Sequence, residues 1–484
     1  MRNKLFATAL LAAVLAGCTT TPTAPPQLDL PAASADPVPI AALERWWTSF
    51  NDPTLDQLVD EAIAHNLDLQ AAMARVQTAR AQVTRAQSDL YPTVDLGAGA
   101  NRSRSTQSGT NPLPQGFSPY ANDYRVALEA SYEVDLWGKY RTATRAAQQD
   151  LLSTEYARET VRTMVAADTS RYYFNLLAAD AQLAVLEETL KTRVQSVELQ
   201  TDRYNAGIIG NYDLRTAEAE RAAVASDIAA ARRVVVEYES ALAVLLGRSP
   251  REVFTPALAR DVAMVRTIAV PTIPAGLPSD LLARRPDIRS AEAQLAAANM
   301  RIDVARADYY PSITLTGAFG TEAGALSNLF NGPALIWSIA GALVQPLLGL
   351  KAIEANVDTA TSRRNELVVQ YTKTVQAAFR DTHDALSANE TTRAALAAQS
   401  ERKDKLSEVL ELSDIRYSSG YSPYLEVLDS QRQLLQAQTL QIIAARNVRL
   451  AVVDLATALG GGWDVAGAVT PPTGLIGSGS GAYR

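Results

Sequence analysis

The clearest pattern along the chain is an alternation. From Tyr124 to Leu136 every second residue (Tyr124, Val126, Leu128, Ala130, Tyr132, Val134, Leu136) is apolar or aromatic, while Arg125, Glu129, Ser131, Glu133 and Asp135 fall on the other face. A period of two predicts a strand with one apolar and one polar side, and a tilted strand needs only about 9–11 residues to cross a bilayer. Val94, Leu96, Ala98 and Ala100 repeat the pattern, as do Ile313, Leu315 and Phe319. Leu335, Trp337, Ile339 and Leu343 make a fourth set, whose other face is apolar too. Strands are therefore expected at about 92–104, 123–137, 311–321 and 334–345. Four strands cannot close a barrel of useful bore, and open sheet edges are not tolerated in lipid. Several copies are expected to share one barrel.

Between the strands the punctuation changes. No Gly or Pro occurs from Lys139 to Ala206, from Asn211 to Leu246, from Lys351 to Ser419 or from Tyr424 to Leu459. Neither residue sits well inside a helix, so these stretches predict helices, and at 1.5 Å rise per residue the two longest would reach about 100 Å. Shorter helices are expected at Leu67–Leu90 and Asp287–Tyr310. A short helix stacked on a medium one matches the length of a long one, so each half of the chain can supply one continuous and one broken rod. Soluble helices of this length must pack laterally, in a coiled coil or a tube.

The two halves share one plan. Asn66, Leu67, Asp68 and Leu69 lead to Tyr91 and Pro92 as Arg285, Pro286, Asp287 and Ile288 lead to Tyr310 and Pro311, and Arg203, Tyr204 and Gly207 match Arg416, Tyr417 and Gly420. The repeat divides the chain into residues 46–270 and 271–463, with helical hairpins at 139–246 and 351–459 and a C-terminal segment 464–484.

Composition narrows the function. The 45 basic and 52 acidic residues give a formal charge of -7 with no block of one sign, so nothing supports nucleic-acid binding. The two histidines, His65 and His383, have no second ligand type at metal spacing, which predicts no metal site and no cofactor. No G-x-S-x-G elbow, phosphate-cradling glycine loop or cysteine nucleophile is present, and Asp and Glu are scattered along helices, so no catalytic residue is assigned and an enzyme is not expected.

The single cysteine, Cys18, excludes a disulfide within one chain. Arg2 and Lys4 precede a short apolar run, Leu5 to Ala16, and Leu15, Ala16, Gly17 and Cys18 resemble a bacterial lipobox. The run is too short to span a membrane. We expect a signal peptide at 1–17, a lipid on Cys18 such as palmitate, and a flexible tether from Cys18 to residue 45, rich in Thr, Pro and Ala over Thr19–Ala42. No aspartate follows Cys18 at the second position, so the outer membrane is the expected address.

The stretch PTIPAGLPSDLLARRPDIRSAEAQL, Pro271 to Leu295, closely resembles a hallmark segment of TolC-type outer-membrane efflux proteins, and within them the lipoprotein branch (OprM/NodT-like). Trp46, Trp47, Phe50, Asp52, Pro53 and Leu55, the segment Tyr417 to Arg432, and Ala458 to Trp463 resemble that family as well. The resemblance implies a mainly α fold with membrane β: a trimeric 12-stranded outer-membrane β-barrel, four strands per protomer, continued by a long periplasmic α-helical barrel with an equatorial belt that includes Pro250 to Pro278. It implies loops 103–122 and 322–334 outside the cell. The implied function is the exit duct of a tripartite efflux pump that passively conducts small toxic solutes or drugs and so contributes to antibiotic resistance. The implied partners are two further copies, a periplasmic adaptor protein, an inner-membrane pump of the resistance-nodulation-division type, and outer-membrane lipid. A component of a type I protein secretion system is the alternative.

The resemblance also assigns residues. The helix turns at Gly207, Ile208, Gly420 and Tyr421 become periplasmic tips that meet the adaptor. Tyr417, Leu425, Asp429 and Arg432 become the periplasmic gate, with Asp429 held by hydrogen bonds from Tyr417 and Arg432 of neighbouring helices or by cations. Leu425, Asp429 and Arg432 are spaced four and three apart, which places them on one helical face.

Overall fold

The computed structural model describes residues 44–106, 116–254 and 284–463. The signal peptide, Cys18, nearly all of the tether, most of the segment Pro250 to Pro278 and residues 464–484 lie outside the described residues. After a 3₁₀ turn at Trp46–Phe50, the helices are α1 (Pro53–His65), α2 (Leu67–Ser88), α3 (Lys139–Asn205), α4 (Asn211–Leu245), the short α5 (Pro250–Phe254), α6 (Pro286–Ala307), α7 (Leu350–Ser418) and α8 (Tyr424–Ala458). The two longest, α3 and α7, have 67 and 69 residues and fill their Gly- and Pro-free stretches. No described helix is long and apolar enough to cross a membrane.

The chain divides into two compact units. The first holds Gln77–Ser153 and Glu292–Gln370, and with them the sheet. Its strands β1 (Thr93–Arg104), β2 (Tyr120–Glu133), β3 (Ser312–Ala323) and β4 (Leu335–Val344) are antiparallel and lie in the order β1-β2-β3-β4, so β1 and β4 are edges. Register sorts the side chains by face. Leu96 pairs with Leu128, Leu128 with Phe319 and Phe319 with Trp337, which places all four on one side. That side is exposed, Trp337 by 71% and Ile339 by 83%. A soluble sheet would bury such a face. The opposite side carries Arg125, which pairs with Glu129 at 3.0 Å and with Glu322 at 3.8 Å. On β4 this opposite side is Ile336, Ser338, Ala340, Ala342 and Val344, as apolar as the sequence suggested.

One strand boundary differs from the alternation. The pattern runs to Leu136, but β2 ends at Glu133 and begins earlier, at Tyr120. Asp135 is the reason: its carboxylate accepts hydrogen bonds from the backbone N–H of Tyr140 (3.1 Å) and Arg141 (2.9 Å) at the start of α3, and capping wins over strand pairing. Tyr140 in turn donates its hydroxyl to Glu133 at 2.8 Å; burial first, and then this bond, push its pKa up to about 12.

The second unit holds residues 44–76, 154–254, 284–291 and 371–463 among those described, and with them the main core. Trp46, Trp47 and Phe50 are buried beside Tyr173, Phe174, Leu176, Val452 and Val453. Burying side chains of this size contributes roughly 1.5–3 kcal/mol each. Asp52, fully buried, caps α1 by accepting from Thr54 and Leu55 N–H at 3.0 and 3.2 Å, and its other oxygen accepts from the Tyr173 hydroxyl at 2.7 Å. Burial first, and then this carboxylate, push the Tyr173 pKa up.

The internal repeat is a repeat of junctions in this unit. Asn66 caps α2 and donates from Nδ2 to Leu245 O at 2.9 Å; Arg285, at the matching place, donates to Ala458 O at 3.3 Å. Gly247 ends α4 at φ +67° and Gly460 ends α8 at φ +76°, each with the paired backbone bonds of a Schellman turn.

Candidate functional site at the helix turns

The two hairpin turns are built alike. Gly207 N–H donates to Tyr204 O and Ile208 N–H to Arg203 O, both at 2.9 Å; Gly420 N–H donates to Tyr417 O at 3.0 Å and Tyr421 N–H to Arg416 O at 2.8 Å. Both glycines have positive φ, +71° and +78°, which the turn requires. A Cβ at either would meet nothing within 4 Å. The residues that follow are exposed, Ile208 by 70% and Tyr421 by 82%, which leaves two apolar side chains at the turns without cover in the single chain.

Helix α8 begins at Tyr424 with Pro423 as its N-cap residue, and its first turns divide by face. Tyr424, Val427 and Leu428 are buried with Ala217, against Val197, Leu410 and Tyr417. Leu425, Asp429 and Arg432 point the other way and are exposed. The spacing that placed them on one face holds in the structure. Asp429 accepts from Gln433 Nε2 at 2.5 Å, one turn further on.

Tyr417 and Arg432 do not reach Asp429 with hydrogen bonds inside the chain. Tyr417 lies on the packed side of the last turn of α7, with its ring 5.6 Å from that of Tyr424, and its hydroxyl exchanges hydrogen bonds with the Gln200 amide at 3.1 and 3.3 Å. The Arg203 guanidinium sits 4.8 Å above the Tyr417 ring. Arg432 forms an ion pair with Glu220 of α4. That bond is the main reason the Glu220 carboxyl is held below its usual range and Arg432 above its own. Arg416 at the end of α7 pairs with Glu426 at 2.9 Å.

Sequence reading gave no role here to Gln200, Glu220, Gln431 and Arg193, and took Arg203 only as a marker of the repeat. Arg193 of α3 is only 2% exposed, hydrogen-bonds Gln431 of α8, and has its pKa pushed down by burial. No signal in the sequence separates it from the many solvated arginines of these helices.

His65 and His383 are exposed, and among the described residues no group of three or more His, Cys, Asp or Glu could hold a metal ion.

A family model described as outer membrane efflux protein matches residues 58–248 and 277–461, one match for each repeat. The solvent efflux pump outer membrane protein SrpC and the toluene efflux pump outer membrane protein TtgI, both of Pseudomonas putida, are each 35% identical over 451 residues, covering 92% of this chain and 94% of theirs. The CmeC outer membrane channel of Campylobacter jejuni superposes with a TM-score of 0.84 at 27% identity, covering 91% of this chain and 95% of its own. With both repeats matched and the fold shared over nearly the whole described chain, the protein belongs to the outer membrane efflux protein family.

Proposed function

We propose that three copies of this chain close their sheets into one twelve-stranded barrel across the outer membrane, continued into the periplasm by a barrel of helices. The assembly is the passive exit duct of a tripartite pump for small toxic solutes, with the energy supplied by the inner-membrane partner and no catalysis by this chain. The observation that carries the reading is the sheet itself: strands of 10 to 14 residues, an exposed apolar face, and unpaired edges on β1 and β4. Lipid demands the apolar face, and only closure with other copies satisfies the edges. The names of its relatives, components of efflux pumps for solvents, toluene, antibiotics and cations, support small toxic solutes as the cargo.

Within this reading Gly207, Ile208, Gly420 and Tyr421 dock a periplasmic adaptor, which covers the exposed apolar turns, and the inner-membrane pump is of the resistance-nodulation-division type. Leu425 and Asp429 line the periplasmic entrance, with Tyr417 and Arg432 setting the helices that carry them. Cys18 is acylated and ties the mature N-terminus to the outer membrane. Heat-resistant trimers in the outer-membrane fraction that conduct ions in planar bilayers test the duct; a monomer in the periplasmic fraction refutes it. Mass spectrometry of the mature N-terminus tests the anchor, which fails if the chain begins unmodified at another residue.

A further inference from the structure

Arg193 lies where α3 meets α8, in the unit that holds both turns, and is almost wholly buried. Its Nη1 donates to the Gln431 side chain, a neutral acceptor, and among the described residues its Nε meets no acceptor at all. The carboxylate that partly offsets its charge is Glu220, which is already engaged by Arg432, so two guanidiniums draw on one carboxylate. A buried charge without a full counter-charge is costly, and the cost falls on whatever arrangement buries it.

Helix packing places this cost at a telling position. Gln431 and Arg432 are neighbours on α8, between Asp429 and Gln433, so the groups that hold α8 against α3 and α4 sit beside the exposed face of Leu425 and Asp429. We propose that Arg193 is a positioning residue for the entrance end of α8: it ties that end to α3 through Gln431 while leaving the contact under-neutralised, so that this is the first place where α8 parts from α3 and α4. The inference rests on the duct reading above for its consequence, and on the buried guanidinium alone for its physics.

The sign of the mutations distinguishes such a device from ordinary packing. Glu220→Gln removes the one nearby counter-charge and strands Arg193, so it loosens α8. Arg193→Met in the same chain removes the stranded charge and restores the packing, so it reverses the loss instead of adding to it. Gln431→Glu supplies the missing counter-charge and tightens the contact. The experiment is hydrogen exchange over residues 424–433 in the full trimer in detergent, with bilayer conductance recorded on the same samples. Relative to wild type, Glu220→Gln exchanges about tenfold faster, which corresponds to about 1.4 kcal/mol, the double variant returns to within about threefold, and Gln431→Glu exchanges about tenfold slower. Exchange that is unchanged in Glu220→Gln, or losses that add in the double variant, overturn the proposal. If the double variant does not assemble, Gln431→Glu decides alone: exchange no slower than wild type overturns it. The exchange pattern without any conductance from the wild type would leave Arg193 as proposed and overturn the duct, whereas conductance without the pattern would do the reverse.

Discussion

At the turn between α3 and α4, Tyr204 is exposed and the helix that follows presents Tyr212, Thr216 and Ala219; at the matching turn between α7 and α8, Tyr417 is half-buried and the helix presents Leu425, Asp429 and Arg432. The backbone is the same to the hydrogen bond, down to two glycines of nearly equal φ. At these three matched positions only the second helix carries charge, and the first supplies its counter-charge, Glu220, one turn beyond Thr216. The comparison separates two layers of the sequence. Residues shared by the repeats make the hairpin, and residues that differ at equal positions make one hairpin the support of the other.

The shared layer is the one that breaks hardest. A Cβ at Gly247 would lie 2.2 Å from the backbone oxygen of His65, and at Gly460 3.0 Å from the Arg284 carbonyl carbon, whereas Gly207 and Gly420 face open space. Gly247→Ala therefore combines left-handed strain with a backbone clash and should destabilise by about 3 kcal/mol or more, with Gly460→Ala next. Gly207→Ala and Gly420→Ala carry strain only, about 1–2 kcal/mol each. Thermal unfolding of the four purified variants ranks them, and equal losses at all four would mean that the junctions give way without cost.

The matched junctions Asn66 and Arg285 sharpen the comparison because one is neutral and the other charged. Asn66→Ala loses the α2 cap and the bond to Leu245 O, about 1–2 kcal/mol, with no dependence on salt. Arg285→Ala loses the bond to Ala458 O together with ion pairs to Asp287 at 2.7 Å and Asp381 at 3.6 Å. Its cost, of the same order at low salt, should shrink as salt screens the pairs, the Arg285 side chain being 12% exposed and the carboxylates more so. Denaturant titrations at two ionic strengths read this directly.

What the sequence reveals follows the same division. Helices show through the absence of Gly and Pro, β2 through its alternation, and the repeat through residues such as Gly207 and Gly420, because each of these is a local requirement of the backbone. The face of α8 that carries Leu425, Asp429 and Arg432 is legible from spacing alone. The partners of these residues are not. Asp135 reads as one more polar position of β2 until α3 is seen to start on it. Arg193 reads as one more solvated arginine until α8 is packed over it. Pairings between residues hundreds of positions apart, such as Tyr417 with Gln200, depend on how the hairpins meet, and no local pattern encodes that.

A third test asks whether the unequal faces act unequally. Leu425→Ala and Asp429→Ala should each raise single-channel conductance, by about twofold or more, with trimers intact, because exposed groups of this kind contribute only about 0–1 kcal/mol to packing. Tyr212→Ala and Thr216→Ala, at the matching positions of α4, should leave conductance unchanged. Equal effects from both helices would contradict the assignment of α8 to the entrance.

The smallest expected effect is on pH dependence. Glu220 is held below its usual pKa by Arg432, so the folded chain holds its carboxylate more tightly than the unfolded chain does. The sign follows: the contribution is fully present above pH 4.5, the ordinary value for Glu, and is lost as pH falls below it toward the depressed folded value. Arg432 stays charged throughout and adds no pH dependence of its own. Because the Arg432 side chain is 52% exposed, solvent screens the pair, and the loss at the α8 turn should not exceed the roughly 1.4 kcal/mol that corresponds to a tenfold change in exchange. Protection factors over residues 424–433, corrected for intrinsic exchange, should hold constant from pH 7 to about pH 5 and decline below about pH 4.5. In Glu220→Gln that decline should vanish while the rest of the chain titrates as before. A decline that persists in Glu220→Gln would assign the acid sensitivity of the turn to another carboxylate, with Glu426, paired to Arg416 at 2.9 Å, the next to replace.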